Sequence, residues 1–254
     1  MIEIKDLHKS FNEEIILNGI DAEFIAGKTN MIIGSSGSGK SVFLKNMLGL
    51  FKPDAGEIIY DGERLNEMDE DRQKELREQM GMLFQHSALF DSMTVEENVM
   101  FPLRMFTKMR RKERQERAND ILERVNLINL NKKKPSEISG GQQKRVALAR
   151  AVVNRPKFLF CDEPNSGLDP KTATIIDNLI QELTHESNMT TVIISHDMNS
   201  VLEIGETIIF LKDGKIAWKG NNKQIFKTDN ESVTDFVYSS ELFRKVRIAQ
   251  NKGL

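Results

Sequence analysis

Near its N-terminal end the chain reads Thr29-Asn30-Met31-Ile32-Ile33-Gly34-Ser35-Ser36-Gly37-Ser38-Gly39-Lys40-Ser41. Residues 29–33 have the apolar character of a short buried strand, and a glycine ends it. From Gly34 to Ser41 the sequence fits G-x-x-x-x-G-K-[ST] at every position. Val42, Phe43, Leu44, Met47 and Leu48 then give a helical apolar pattern, with Gly49 as a stop. Glycines let the backbone wrap an anion with its N–H groups turned inward, and a helix N-terminus adds positive potential at the same point. Lys40 can reach β- and γ-phosphates, and the Ser41 hydroxyl can ligate Mg2+. A flexible Gly/Ser linker has no need of a lysine and a serine leading into an amphipathic helix. Gly34, Ser35, Ser36, Gly37, Ser38, Gly39, Lys40 and Ser41 are therefore the candidate nucleotide contacts.

Outward from this loop, Ile2 and Ile4, then Ile20, Ala22 and Phe24, alternate with other residues as half-buried strands do. Pro53–Gly56 reads as a turn before a strand at 57–60. Residues 69–79 and 107–125 are highly charged and read as exposed helices. Between them lie a short strand at Met82–Gln85 and an apolar segment through Phe90, Val95, Val99, Phe101 and Phe106. From Pro156 onward strands are expected at 157–161, 190–195 and 206–211, with helices at 170–186 and 198–204. Asp213-Gly214 signals a hairpin. Strands alternating with helices imply an α/β chain with a mainly parallel sheet. Residues 223–254 read as a polar extension with scattered aromatics.

Composition removes several classes of function. The chain has 254 residues, 39% hydrophobic and 29% charged, which is too apolar for disorder. Lys and Arg number 36 against 38 Asp and Glu, so no strongly basic body grips nucleic acid. A single cysteine, Cys161, excludes a disulfide framework and a multi-cysteine zinc site, fits a reducing compartment, and reads as structural. Met1–Lys5 shows no positive segment leading into an apolar stretch, so no secretory signal is expected. The longest apolar runs, such as Ile208–Leu211, are far too short to span a bilayer, so any membrane role must come through a partner.

Phe158-Leu159-Phe160-Cys161-Asp162-Glu163 is an apolar strand ending in two carboxylates, and strand ends are where ligands bind in parallel sheets. Asp162 suits the magnesium shell of a phosphate-loop enzyme. Glu163, one residue beyond, can polarise water for in-line attack. Ser139-Gly140-Gly141-Gln142-Gln143 opens another helix with a serine N-cap and a glycine pair, a further helix start suited to an anion.

In this order the motifs resemble those of the ATP-binding-cassette (ABC) ATPases, over about residues 1–222. Lys40 and Ser41 fall on the Walker A positions and Gln85 on the Q-loop glutamine. Ser139–Gln143 matches the family signature, with Ile138 where leucine is usual. Asp162 and Glu163 match the Walker B aspartate and catalytic glutamate, Ser166–Asp169 the D-loop, His196 the switch histidine and Phe11 the adenine-stacking aromatic. The resemblance implies a RecA-like mixed-sheet core with an antiparallel β subdomain and a helical subdomain at about 87–155, followed by an extension at 223–254. It implies ATP and Mg2+, with Glu163, His196, Lys40 and Gln85 in catalysis and Ser41, Gln85 and Asp162 around the metal. It also implies a head-to-tail homodimer, because in this family each ATP lies between Walker A of one subunit and Ser139, Gly140, Gly141, Gln142 and Asp169 of the other.

The stretch Leu83–Leu103 is similar to the ATPases of lipid-trafficking transporters of the Mla, or mammalian-cell-entry (MCE)-linked, type. That likeness implies permease subunits contacting about residues 85–106, an MCE-type lipid-binding partner, and a peripheral position on the cytoplasmic face of the cell membrane. Phe236, Tyr238 and Phe243 are candidate anchors for a tail that clasps the neighbouring subunit; a disordered or self-packed tail is the alternative. Arg110–Arg117 reads as a solvated helix face, with a phospholipid headgroup contact as the alternative. An importer of polar solutes such as amino acids, and an exporter, remain alternative readings. A soluble ABC ATPase of DNA repair or translation is disfavoured by the lack of a coiled-coil insertion, zinc cysteines or a second cassette, and a GTPase by the lack of an Asn-Lys-x-Asp element.

Overall fold

Strand β3 (Thr29–Ile33) lies in the interior of a six-stranded sheet, and the glycine loop carries the chain from it into helix α1 (Lys40–Met47). The structure, a computed structural model, describes residues 1–239. The other elements in chain order are β1 (Ile2–Phe11), β2 (Glu14–Phe24), β4 (Ala55–Tyr60), β5 (Glu63–Arg64), α2 (Glu70–Glu78), β6 (Met80–Leu83), α3 (Val95–Phe106), α4 (Arg111–Arg124), α5 (Gly140–Val152), β7 (Phe158–Asp162), α6 (Pro170–Ser187), β8 (Thr190–Ile194), α7 (Met198–Ile204), β9 (Thr207–Lys212), β10 (Lys215–Gly220) and α8 (Glu231–Val237). The large sheet has the order β10-β9-β3-β8-β7-β6, parallel except for the β9–β10 hairpin at Asp213-Gly214. A four-stranded antiparallel sheet, β2-β1-β4-β5, packs beside it.

The period of two in the central strands sorts their side chains onto two cores. Ile32, Phe158, Phe160, Val192 and Ile194 join Phe43, Leu44 and Met47 of α1 and the inner face of the antiparallel sheet. Met31, Ile33, Leu159, Cys161 and Ile193 face the other way, against α5, α6 and α7. The sheet is thus buried on both faces, which is why its strands read as continuous apolar runs.

Register aligns the carboxyl ends. Ile32 is opposite Ile194, Asp162 is opposite Ile194, and Leu83 is opposite Cys161. The loops that start at Gly34, Phe84, Glu163 and Ser195 therefore leave the sheet along one edge.

Three segments differ from expectation in detail. The apolar segment after Gln85 is a loop followed by α3, whose start is fixed by a reciprocal cap between Thr94 and Glu97. Residues 107–110 are not helical, and α4 begins only at Arg111. The extension is not merely polar: Val233 and Val237 of α8 are buried, and Phe236 packs on Phe210 with ring centroids 5.2 Å apart. Phe226 and Tyr238 pair at 6.2 Å. Of the aromatics considered as anchors for a neighbouring subunit, Phe236 and Tyr238 thus make contacts within their own chain, and Phe243 lies outside the described residues. Among the described residues no helix is long and apolar enough to cross a membrane.

Candidate active site

The glycine loop closes tightly on its own scaffold. A Cβ on Gly34 would stand 2.2 Å from the Leu211 carbonyl oxygen, and Gly39, at φ 99°, passes close to the Ile16 carbonyl. No other residue fits either place, so the loop's shape is set by glycine. Lys40 folds back so that Nζ donates to the Gly34 and Ser35 carbonyls at 2.9 and 2.8 Å. Burial holds its ammonium below the ordinary lysine range, against the opposing pull of Glu163 and Asp162. Among the described residues the buried Ser38 hydroxyl has no partner. A glycine-shaped cradle with an unpaired donor in it suits a phosphate chain.

Around this loop runs an open cleft of about 1200 Å³, lined by Ser41, Gln85, Asp162, Glu163, Ser166 and His196 together with the loop itself. Asp162 is the last residue of β7. Its carboxyl is pushed above the usual range by burial and then by Glu163, while Lys45, Lys40 and Lys144 pull it back. Glu163 leaves the strand in the left-handed region, φ 48°, with its N–H bonded to the Ile194 carbonyl at 3.0 Å. That turn aims its carboxylate at His196, whose Nδ1 lies 2.7 Å from Oε2. Gln85 Nε2 donates to Ser166 Oγ at 3.2 Å, which joins the loop after β6 to the loop after Glu163. Ser41, Asp162 and Gln85 offer a hydroxyl, a carboxylate and an amide oxygen. This hard, sparse donor set fits Mg2+, which keeps waters and substrate phosphates in its shell.

The remaining expected residues stand elsewhere. Ser139 caps α5 through the Gln142 N–H at 3.3 Å, and Gln142 returns a bond to the Ser139 N–H. Gly141 lets this helix start approach Thr172, where a Cβ would meet a methyl at 2.6 Å, whereas Gly140 faces open space. Asp169 caps α6 through Thr172 N–H at 3.1 Å. None of these residues lines the cleft, and neither does Phe11, which stands edge-on to Phe51 at 5.2 Å with Lys9 over its ring. The cleft thus gathers Lys40, Ser41, Gln85, Asp162, Glu163 and His196, while Ser139–Gln142, Asp169 and Phe11 lie outside its lining.

Residues 17–166 match the ABC transporter family profile. The chain belongs to this family. It is 36% identical over 246 residues to the methionine import ATP-binding protein MetN of Latilactobacillus sakei, covering 95% of this chain and 71% of that protein. It is likewise 36% identical over 236 residues to the probable ribonucleotide transport ATP-binding protein mkl of Mycobacterium leprae, covering 93% and 68%. Among solved structures it is similar to a dimeric ATP-binding cassette in a post-hydrolysis state with ADP and Pi, at 36% identity and TM-score 0.79, over 87% of this chain and 99% of that one. It is also similar to cbiO1 of Clostridium perfringens, part of the ABC transporter complex cbiONQ, at 29% identity and TM-score 0.84, over 100% and 98%. This ABC protein is an ATPase, the ATP-hydrolysing subunit of a transporter, and uses ATP with Mg2+.

Sequence reasoning missed a group of buried polar residues behind the ABC motifs. Lys144, only 3% exposed, donates Nζ to the Phe84 carbonyl at 3.1 Å and to that of Gln85. Arg150, on the same helix, donates to the Ser87 and Ala88 carbonyls at 2.8 and 2.7 Å. Ser87 and Ala88 both take positive φ, 60° and 47°. The helix that starts at the signature thus grips the loop that carries Gln85. Arg150 carried a visible signal: it is a lone charge within Val146-Ala147-Leu148-Ala149-Arg150-Ala151-Val152. Ile16 and Glu14 also line the cleft, and no motif marks them.

Proposed function

We propose that two copies of this chain close head to tail around two ATP molecules and so power a transporter that moves phospholipids or other lipids between membranes. The observation that carries the dimer is the separation of Ser139–Gln142 and Asp169 from the cleft that holds Lys40, Asp162 and Glu163. A γ-phosphate bound at Lys40 of one copy and at the Ser139 helix start of the other joins both faces. Its hydrolysis removes the shared anion and releases them.

Within each site, Lys40 and the loop N–H groups hold the phosphates, and Phe11 supplies the adenine platform. Mg2+ neutralises phosphate charge when bound, and Ser41, Gln85 and Asp162 are the residues that would hold it. Glu163 orients the attacking water and draws its proton as the oxygen approaches the γ-phosphorus. His196 contacts the γ-phosphate through Nε2 while Nδ1 steadies Glu163. Glu163→Gln should leave ATP binding near the parental level, trap the dimer in size-exclusion chromatography, and lower phosphate release by at least 100-fold. A variant that hydrolyses ATP at the parental rate removes Glu163 from this role.

A groove of about 420 Å³ between β6 and α3, lined by Met82, Phe84, Ala88, Phe90, Phe101 and Phe106, suits an apolar cytoplasmic segment of a membrane-embedded permease. It falls within the stretch expected to contact one, which supports a peripheral position on the cytoplasmic face of the membrane. The lipid reading is supported by the likeness of Leu83–Leu103 to lipid-trafficking ATPases, which also suggests an MCE-type partner. Methionine import is the second reading, favoured by the name of a relative 36% identical to the chain. Purifying the chain from native membranes and identifying its co-purifying subunits and bound small molecules decides between them: enriched phospholipid with a lipid-binding subunit, or a permease with methionine-dependent ATPase activity.

A further inference from the structure

Where α3 runs into α4, the surface combines cations and exposed apolar side chains. Between residues 98 and 115 the basic residues Arg104, Lys108, Arg110, Arg111, Lys112 and Arg114 meet one acid, Glu113, although acids outnumber bases over the whole chain. Among the described residues Glu113 is turned to the Arg110 N–H, and Lys112 has a single ion pair, to Glu116 at 3.8 Å. Arg104 and Arg111 act on Glu97 only at longer range. Met105 is 61% exposed, Phe106 40% and Met109 37%. Residues 107–110 lie outside both helices, so the cations and the methionine there are not confined to one helix face.

We infer that the corner formed by residues 104–112 is a docking surface for an anionic phospholipid bilayer. Cations drawn to headgroup phosphates, with apolar side chains that enter the interface, are the two components of peripheral membrane attachment. Charge complementarity chooses the occupant. Nucleic acid rewards the cations and a base-stacking Phe106 but not Met105 and Met109, whereas a lipid interface rewards all of them. Orientation agrees: Phe106 also lines the groove proposed to receive the permease, so the basic corner lies on the rim that faces the membrane. This last step rests on the proposed function; the charge and exposure of the corner do not. The corner would hold the cassette against the bilayer through release and rebinding at the groove.

The experiment uses the full chain, without any permease, and vesicles of phosphatidylcholine with or without one-third phosphatidylglycerol. Sedimentation should show at least ten-fold more protein on the anionic vesicles, and that excess should fall several-fold between 50 and 300 mM NaCl. Lys108→Glu with Arg111→Glu should abolish it, and Met109→Ser alone should lower it several-fold, with basal ATP hydrolysis unchanged in all variants. Equal sedimentation on both vesicle types, or an excess untouched by these substitutions, overturns the inference. So does binding that is insensitive to Met109→Ser and displaced by single-stranded RNA at equal phosphate concentration, which would mark a general anion patch. Failure of the permease reading is separate: it shows as Phe84→Asp having no effect on co-purification with a membrane subunit, while vesicle binding persists.

Discussion

Nδ1 of His196 lies 2.7 Å from Oε2 of Glu163, although the two residues leave different strands of the sheet. The contact follows from register: Asp162 pairs with Ile194, so the residues just beyond them emerge together. A carboxylate only accepts, so a proton on Nδ1 is what this contact requires, and Nε2 is the ring nitrogen left for a ligand in the cleft that His196 lines. Removing His196 frees Glu163 as well as the imidazole. His196→Ala should lower kcat by about 10²- to 10⁴-fold, the range of one acid–base partner, with a smaller change in ATP affinity. In combination with Glu163→Gln the losses should not multiply, because both substitutions break one unit. Multiplicative losses in phosphate-release assays would show that the two act independently.

The grip of Lys144 and Arg150 on the carbonyls of residues 84–88 makes the loop of Gln85 move with helix α5. Lys144→Met leaves the Gln85 carbonyl without its donor, while the Phe84 carbonyl keeps the Ser87 N–H at 3.0 Å; the unpaired group costs about 1–3 kcal/mol. Urea unfolding should report that loss, and kcat should fall because Gln85 is no longer held toward Ser166. Lys144→Arg, which keeps a donor, should recover part of both. An unchanged midpoint and an unchanged kcat in Lys144→Met would show that the clamp is idle.

How far the sequence anticipates this architecture depends on the range of each interaction. The strand, glycine loop and helix around Lys40 are a local unit, so spacing alone places them. Asp162 at a strand end and Ser139 at a helix start are local in the same sense. Phe11 is placed by its motif, yet its packing on Phe51 comes from a separate turn of the chain. Lys144 and Arg150 look like surface charges until their partners, 59 to 63 residues away, are brought beside them. Helix α3 was legible only as an apolar segment, although Thr94 and Glu97 spell its capping box, because Pro102 and the aromatics obscure its period.

Asn98 shows what such long-range order is worth. It is fully buried; Oδ1 accepts from the Phe90 N–H at 2.8 Å, and Nδ2 donates to the carbonyls of Phe90, Met93 and Thr94. It fixes the loop that forms one wall of the apolar groove. Asn98→Leu removes these bonds and strands the Phe90 N–H and the Met93 carbonyl, while the Phe90 and Thr94 carbonyls keep the Met93 and Asn98 N–H groups, which should cost about 2–4 kcal/mol. Limited proteolysis should then cut between residues 84 and 94 faster than anywhere in the parent chain. Equal cleavage patterns would mean that the loop is held by its aromatics alone.

Asp177 of α6 is a buried acid outside the cleft, 2% exposed, and among the described residues its Oδ1 has no partner. Ser200 of α7 and Asn165, two residues beyond Glu163, are the polar neighbours that favour its charged form, and Asn165 Nδ2 donates to Ser200 Oγ at 2.8 Å. Burial pushes the carboxyl up to about 6, helped by Asp197 and Glu203 and opposed by Ser200 and Asn165. The sign follows from proton binding. Between the ordinary carboxyl value and about 6 the folded chain holds a proton that the unfolded chain has lost, so this group's contribution to stability declines as pH rises through that window and is constant above it. Full ionisation in the folded state costs about 2–3 kcal/mol. Asp177→Asn never ionises and keeps an acceptor oxygen. Its stability relative to the parent should therefore be lowest near pH 4, climb by about 2–3 kcal/mol to pH 7.5, and level off. Urea titrations of both proteins at pH 4, 5, 6 and 7.5 measure that difference directly. A difference that stays flat across the series would mean that Asp177 is ionised at ordinary carboxyl values, and that water reaches the junction between α6 and α7.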